Sequence, residues 1–274
     1  AAPDAAPDAE PDAAEPPVAV TVAMPEVEIG PRAQAAVRRV PRAWLTTGLM
    51  ALARHDPRAA ASVIQALVPV QAARLQQDLT YDLLIAGHPD LRVQLHRDGT
   101  AAVGPRAADP ADAADFRLTG SAIALAPLVG GGTGRRVPAG VVITGRRRRA
   151  RRLTKSLRAP VALAGLAAAD PGLAPDLVLT LLTAAIDAAT TKGERFTVSF
   201  AEDDGPVGVH VVVSDGMPIV VRPGAPAHTA ATVRTAPGAL TGFLAGHEPA
   251  RVSGDAEVVG RLLAWADAAQ GLDT

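Results

Sequence analysis

Apolar residues at Val63, Ile64, Leu67 and Val68 recur at the i, i+1, i+4, i+5 spacing that places them on one face of a helix. The same spacing returns 114 positions later at Leu177, Val178, Leu181 and Leu182. Just before each helix the chain repeats itself. LARHDPRAA (Leu52 to Ala60) matches LAAADPGLA (Leu166 to Ala174), with Asp56-Pro57 against Asp170-Pro171 at that same offset. Pro69 falls inside the first helix and is expected to kink it.

After each helix the hydrophobic period changes to two. YDLLIAG (Tyr81 to Gly87) followed by LRVQLHRDGTAAV predicts a hairpin in the first half, and FTVSF (Phe196 to Phe200) followed by VGVHVVVSDGMPIVV predicts one in the second. Leu91, Val93 and Leu95 fall on one face of their strand, with Arg92, Gln94 and His96 on the other; Val207, Val209, Val211 and Val213 share a face. Asp98-Gly99 and Asp215-Gly216 supply residues that tolerate the positive φ of a two-residue turn.

Each half then closes alike. DFRLTGSAIALAPLVGG (Asp115 to Gly131) parallels TVRTAPGALTGFLAG (Thr232 to Gly246), a strand running into a short apolar helix. VVITGRRRRARRLTKSL (Val141 to Leu157) parallels ARVSGDAEVVGRLLAWADAA (Ala250 to Ala269), a last strand, a glycine and a terminal helix. The order in each copy is helix, helix, two-strand hairpin, strand, short helix, strand, helix. That is a unit of about 115 residues whose half-buried antiparallel sheet must be covered on one face by helices.

The ending of the second copy, an S-D-G hairpin, a strand, a short apolar helix, then R-V-S-G-D and an amphipathic helix over Arg251 to Ala269, resembles the sterol carrier protein type 2 domain. Copy two matches over about 170–270, and copy one matches less closely over about 40–157. The resemblance implies an α+β fold of two tandem domains, each a mixed, mostly antiparallel sheet of about five strands backed by helices. It also implies an apolar tunnel between sheet and helices that holds a fatty acyl chain, sterol or other lipid. On that basis the chain divides into a disordered acidic Ala/Pro tail (1–33), a divergent first domain (34–157) and a second domain (158–274). Copy one departs from the pattern at its last helix, where Arg149 and Ala150 stand in the places of Val258 and Val259 and only Leu153 and Leu157 keep the apolar stripe. The tunnel is therefore expected in copy two, walled by Ile219, Val221, Leu240, Phe243, Leu244, Val259, Leu262 and Trp265, residues that a plain core would also contain.

Composition narrows the chemistry. The chain of 274 residues is 48% hydrophobic, ample for a buried core, and its 3% aromatic content means that a cavity must be walled by Leu, Val and Ala, which suits a flexible aliphatic ligand. The absence of cysteine removes disulfides, thiolate metal sites and cysteine nucleophiles together. No uncharged run reaches the roughly 20 apolar residues of a membrane span. The opening AAPDAAPDAEPDAAEPP has neither a basic nor an apolar segment of a secretory signal, so a cytoplasmic location is expected. Arginine far outnumbers lysine, which occurs only at Lys155 and Lys192, and with abundant alanine this suggests a GC-rich bacterial genome.

The net charge of −1 hides an asymmetry, because Asp4, Asp8, Glu10, Asp12, Glu15, Glu26 and Glu28 all precede the first basic residue. The tail is read as a flexible leader, or alternatively as the donor of a short strand to a sheet edge, since VAVTVAMPEVEI (Val18 to Ile29) briefly alternates. Opposite in sign, Arg146, Arg147, Arg148, Arg149, Arg151 and Arg152, with Lys155 and Arg158, crowd a few helical turns. This run is a solvated face or a contact for an anionic membrane surface or an acidic protein partner; without interleaved aromatics it is not expected to bind nucleic acid.

The remaining candidates carry less. VGGGTGRR (Val129 to Arg136) lacks the spacing of a phosphate-binding loop and reads as a loop insertion. His55, His88, His96, His210, His228 and His247 show no zinc-ligand spacing, and no serine stands in a G-x-S-x-G elbow. The expectation is a non-catalytic protein without cofactor that binds or carries a hydrophobic small molecule or lipid. The alternative is a scaffold recruited through the acidic tail or the arginine-rich helix. The sequence assigns no oligomeric state.

Overall fold

The computed structural model describes residues 26–32, 44–73, 75, 77–106, 114–131, 137–157, 163 and 174–271. Two helices open the first half, α1 (Trp44–His55) and α2 (Pro57–Ala73). Asp56 joins them, and its carboxylate accepts a hydrogen bond from the Ala59 amide at 2.9 Å, capping the first turn of α2. Val63, Ile64, Leu67 and Val68 are all buried, as their spacing predicts, and α2 runs on through Pro69 to its end.

Five strands follow, β2 (Leu79–Ile85), β3 (Leu91–Leu95), β4 (Ala101–Pro105), β5 (Phe116–Gly120) and β6 (Val142–Gly145), in the order β4-β3-β2-β5-β6. The pair β2 with β5 is parallel and the other pairs are antiparallel. Helix α3 (Ala122–Val129) leaves β5 and α4 (Arg147–Leu157) leaves β6.

The second half comprises α5 (Pro175–Ala185), a 3₁₀ turn (Ala188–Thr191), β7 (Phe196–Glu202), β8 (Val207–Val213), β9 (Val220–Pro223), β10 (Ala231–Thr235), α6 (Leu240–Leu244), β11 (Ala250–Gly254) and α7 (Ala256–Gln270). Its sheet reads β9-β8-β7-β10-β11 and ends on β1 (Glu26–Ile29). Apart from β1, strand order and pairing sense match the first sheet, with β7 and β10 as the parallel pair. The fold is thus mixed α+β with two mixed sheets.

Three expectations change in detail. Each hairpin has a third strand, and the connections at 96–100 and 214–219 are longer than two-residue turns, although Gly99 (φ 87°) and Gly216 (φ 64°) take the positive φ assigned to them. Glu26–Ile29, read first as part of a flexible leader and alternatively as a strand for a sheet edge, takes the second course and pairs with β11, where alternating Val27 and Ile29 share the edge of the sheet. Val18–Val22 and most of the second copy of the repeat, residues 166–173, lie outside the described residues.

The helical layers of the two halves meet. Helix α1 packs on α5, and one continuous cluster of buried side chains runs through both halves. The close approach requires Gly48, since a Cβ there would lie 2.5 Å from the Leu181 carbonyl oxygen.

Polar groups are handled differently on the two sheets. On the first, buried Asp82 accepts from Arg92 Nε at 2.8 Å and lies 3.3 Å from Arg106 Nε, which lets a charged pair sit under the exposed face of the sheet. Tyr81, on the opposite face, stacks on Phe116 with centroids 5.4 Å apart and leaves its buried hydroxyl without a hydrogen-bond partner; burial pushes that phenol upward. On the second sheet Arg32, just past β1, donates to the Leu244 carbonyl at 2.7 Å and approaches Asp267 at 3.5 Å. Burial raises the Asp267 carboxyl above the ordinary aspartate value while Arg32 opposes the shift.

Candidate functional site

Two cavities flank α5. The larger, about 860 Å³, lies where the α1–α2 junction (Ala51, Leu52, His55, Asp56, Ala59) faces α5 and the 3₁₀ turn (Thr183, Ala184, Ile186, Ala188). Its floor and rim are Met217, Pro218 and Ile219, from the connection between β8 and β9, with Val220 and Val221 of β9. The smaller, about 540 Å³, lies at the end of the β7–β8 hairpin, between Pro175 and Asp176 of α5, Phe200, Val209, Pro223 and Leu240. Thr180 and Val221 border both.

Local chemistry shapes these walls. The Thr180 hydroxyl donates back to the Asp176 carbonyl at 2.7 Å and that of Thr183 to Leu179 at 2.8 Å, so neither polar group is left unsatisfied in α5. The buried Thr191 hydroxyl donates to Met217 O at 3.0 Å, and the Gly193 amide to Asp215 at 2.7 Å. These bonds tie the 214–219 connection, which borders the larger cavity, to the 3₁₀ turn and the residues just after it. Between Phe200 and Ala201 the pairing of β7 with β8 slips, and that bulge splays the hairpin end that walls the smaller cavity.

The larger cavity is lined mainly by aliphatic side chains with a polar fringe, and the smaller adds the charged Asp176, Glu202 and Arg222 to its apolar wall. His55 and Asp56 stand exposed at one side of the larger cavity and Met217 and Val220 at its rim. Ser214 also borders it, yet among the described residues Ser214, His55 and Asp56 make no hydrogen bond to one another, and the Asp56 carboxylate is engaged as the cap of α2. No group of three or more His, Cys, Asp or Glu able to hold a metal ion occurs among the described residues.

The residues expected to wall a tunnel divide into two sets. Ile219, Val221 and Leu240 line the cavities. Phe243, Leu244, Val259 and Leu262 are buried in the common core, and Trp265, half-buried on α7, stacks on Phe196 with centroids 5.9 Å apart. The cavities therefore lie beside α5, while the stripe on α7 faces the centre of the sheet. Thr180, Ala184, Phe200 and the α1 residues were not singled out by sequence; the available signal was the run of small residues (Gly48, Ala51, Ala59) at the end of α1 and start of α2.

The arginine-rich helix is amphipathic as expected. Ala150, Leu153, Thr154 and Leu157 are buried, and Arg146, Arg147, Arg148, Arg149, Arg151 and Arg152 are exposed. Asp115 holds Arg146 at 3.0 Å and Arg149 at 2.6 Å, and Arg152 donates to Gln77 at 2.8 Å. Arg147, Arg148 and Arg151 have no acidic partner among the described residues. No helix among them is long and apolar enough to cross a membrane.

A two-sheet α+β protein with cavities beside one helix is the class these observations define. No family model and no curated protein matches the chain. Solved structures match parts of it. A stereoselective inverting sec-alkylsulfatase from a Pseudomonas species is 15% identical with a TM-score of 0.32, covering 45% of this chain and 22% of the sulfatase. A double mutant of a sec-alkylsulfatase is 18% identical with a TM-score of 0.33 over 47% of this chain and 22% of its own. Sterol carrier protein 2 from Yarrowia lipolytica, in its apo form, is 18% identical with a TM-score of 0.23, covering 42% of this chain and 88% of that protein. The matched region spans about a fifth of the sulfatases' length.

Proposed function

We propose that the protein binds and carries a hydrophobic ligand with an aliphatic chain, without chemistry of its own, in the space beside α5. The observation that carries this reading is the pair of cavities of about 540 and 860 Å³ that share Thr180 and Val221. Both fall within the roughly 300–1,000 Å³ of small-molecule sites. The apolar parts of their walls are Ala, Val, Ile, Leu and Pro with Phe200 and Met217, and charged or polar residues including Asp176, Glu202 and Arg222 border them, a surface suited to a flexible chain with a polar head. His55, exposed at one side of the larger cavity, and Arg222 at the smaller would meet that head. Descent of the two halves from one duplicated sterol-carrier-like unit agrees with their common strand order.

Titration of delipidated protein with cis-parinaric acid, whose fluorescence rises in apolar surroundings, tests the reading. Saturable enhancement is expected, with displacement by a saturated fatty acid. Thr180→Trp fills the space both cavities border and should weaken binding about tenfold or more while melting stays cooperative. A parent that shows no saturable signal, or a Thr180→Trp protein that binds as the parent does, refutes the assignment.

A further inference from the structure

Helix α4 breaks local rules that its counterpart in the second half obeys. At the end of β6, Gly145 has φ 105°, and at the end of β11, Gly254 has φ 97°. Past each glycine the next amide returns to the adjoining strand: Arg146 N to Asp115 O at 2.7 Å, Asp255 N to Ala230 O at 2.9 Å. The helices that follow, α4 and α7, therefore occupy equivalent places. Helix α7 starts on Asp255, whose carboxylate accepts from the Glu257 amide at 2.9 Å, and Glu257 itself stands in the first turn, so negative charge meets the positive end of the helix dipole. Helix α4 has no acid in its first turn and places Arg147, Arg148 and Arg149 there. It also sets like charges four residues apart at Arg147 and Arg151, at Arg148 and Arg152, and at Arg151 and Lys155, each a destabilising pair. The fold does not need this run, since α7 fills the same place without one.

Only part of this charge is answered within the protein. Asp115 holds Arg146 and Arg149, and Arg152 reaches Gln77. Arg147, Arg148, Arg151 and Lys155 meet no acid among the described residues, and α2, α3, β5 and β6, the elements on which α4 packs, contain no Asp or Glu. All four of these cations are exposed, while Ala150, Leu153 and Leu157 turn to the core. At about 100° and 1.5 Å per residue they fall within about 100° of arc and extend over about 12 Å of the helix. The result is a narrow stripe of unpaired positive charge.

The make-up of the face indicates its partner. Every exposed side chain of α4 is arginine or lysine, so the face offers no aromatic or aliphatic anchor of the kind that centres a protein interface, and no ring on which a base could stack. Neither cavity beside α5 includes a residue of α4. Such a face fits negative charge that is spread over an area and free to rearrange, as in a bilayer whose mobile anionic headgroups gather beneath the cations. We infer that α4 docks the protein on membranes containing anionic lipid, through Arg147, Arg148, Arg151 and Lys155. The inference does not rest on ligand carriage, because docking is read without any ligand. Each cation near an anionic surface strengthens association roughly fivefold, so the four together amount to several hundredfold over neutral lipid.

Flotation of the full chain with phosphatidylcholine vesicles, with and without phosphatidylglycerol, tests this. The parent should float with the anionic vesicles at low salt, stay behind with the neutral ones, and be released at about 0.5 M salt. Arg147→Gln/Arg148→Gln/Arg151→Gln/Lys155→Gln removes the stripe with a good helix former on an exposed face, so it should melt cooperatively at no lower temperature while its partitioning falls several hundredfold. The pair Arg147→Gln/Arg151→Gln should fall about 25-fold. Arg54→Gln/Arg58→Gln/Lys192→Gln/Arg195→Gln removes as many exposed cations elsewhere and should partition within a few fold of the parent. A parent that ignores anionic vesicles leaves the stripe to solvent or to an acidic macromolecule and overturns the proposal. So do equal binding to neutral vesicles, α4 variants that bind as the parent does, and a control that loses binding as fully as the α4 variant.

Discussion

The same substitution, glycine to alanine inside a helix, should have opposite effects at Gly48 and Gly260. Alanine is favoured over glycine by about 1 kcal/mol in an exposed helix interior. Gly260, on the solvent side of α7, meets nothing within 4 Å of an added Cβ, so Gly260→Ala should collect that gain. At Gly48 the added Cβ would lie 2.5 Å from Leu181 O and 3.4 Å from Leu181 C. Comfortable separation is about 3.5 Å, so α1 and α5 must move apart by roughly 1 Å. Backbone cannot yield as a side-chain tip does, and overpacking of this kind costs about 1–3 kcal/mol, to which the weakened contacts along the helix pair add. The expected net is a loss of about 1–2 kcal/mol for Gly48→Ala against a gain of about 1 kcal/mol for Gly260→Ala. Urea titration and scanning calorimetry of both proteins measure the pair, at roughly 2–4 °C per kcal/mol for a chain of this size. Because α1 and α5 also wall the larger cavity, Gly48→Ala should alter parinarate binding and Gly260→Ala should leave it unchanged. A Gly48→Ala protein stabilised as much as Gly260→Ala would mean that α1 and α5 do not cross this closely, and the shared helical layer would fall with it.

Tyr81→Phe removes a buried hydroxyl that has no partner and keeps the stack on Phe116, so urea unfolding should show a gain of about 1–2 kcal/mol. Asp82→Ala leaves Arg92 buried without its carboxylate and should cost about 3–5 kcal/mol by the same measurement. Asp267 has a carboxyl raised by burial, with Arg32 opposing, so the folded state holds its proton more tightly than the unfolded chain. Its contribution to stability is fully present below the ordinary aspartate value and is lost as pH rises through the raised one. Melting curves of the parent and Asp267→Asn across the carboxylate range should therefore show the parent gaining on the variant as pH falls, and a constant difference would refute the linkage.

Much of the fold was legible because period and spacing determine it. The buried faces of α2 and α5, the alternation of β3 and β8 and the terminal glycines of β6 and β11 follow from residues close together in sequence. Features that depend on distant pairing were not. Asp82 sits in an apolar run and Arg92 on the face assigned to solvent, and only their register across β2 and β3 turns two apparently misplaced charges into a buried pair. Likewise β1 is four residues of an acidic segment, whose role depends on an edge more than two hundred residues away in the chain.

The position of the cavities beside α5 has a related cause. Helix α7 packs on β7 and β10, strands with neighbours on both sides, so Val259 and Leu262 are met by side chains from several strands and close into the core at ordinary density. Helix α5 packs on β9, an edge strand, where the sheet supplies no further neighbour and its twist carries the edge away from the helix above. The wedge that remains must be filled by large side chains, by another element or by a ligand. Here Ala51, Ala59, Ala184 and Ala188 are among the facing residues and leave space between the larger side chains, and Thr191 ties the 214–219 connection to the 3₁₀ turn. An apolar stripe therefore marks where a helix is buried, whereas the cavities of this chain lie where small residues meet the edge of a sheet. In this chain the two criteria single out different helices, and the second indicates the space beside α5.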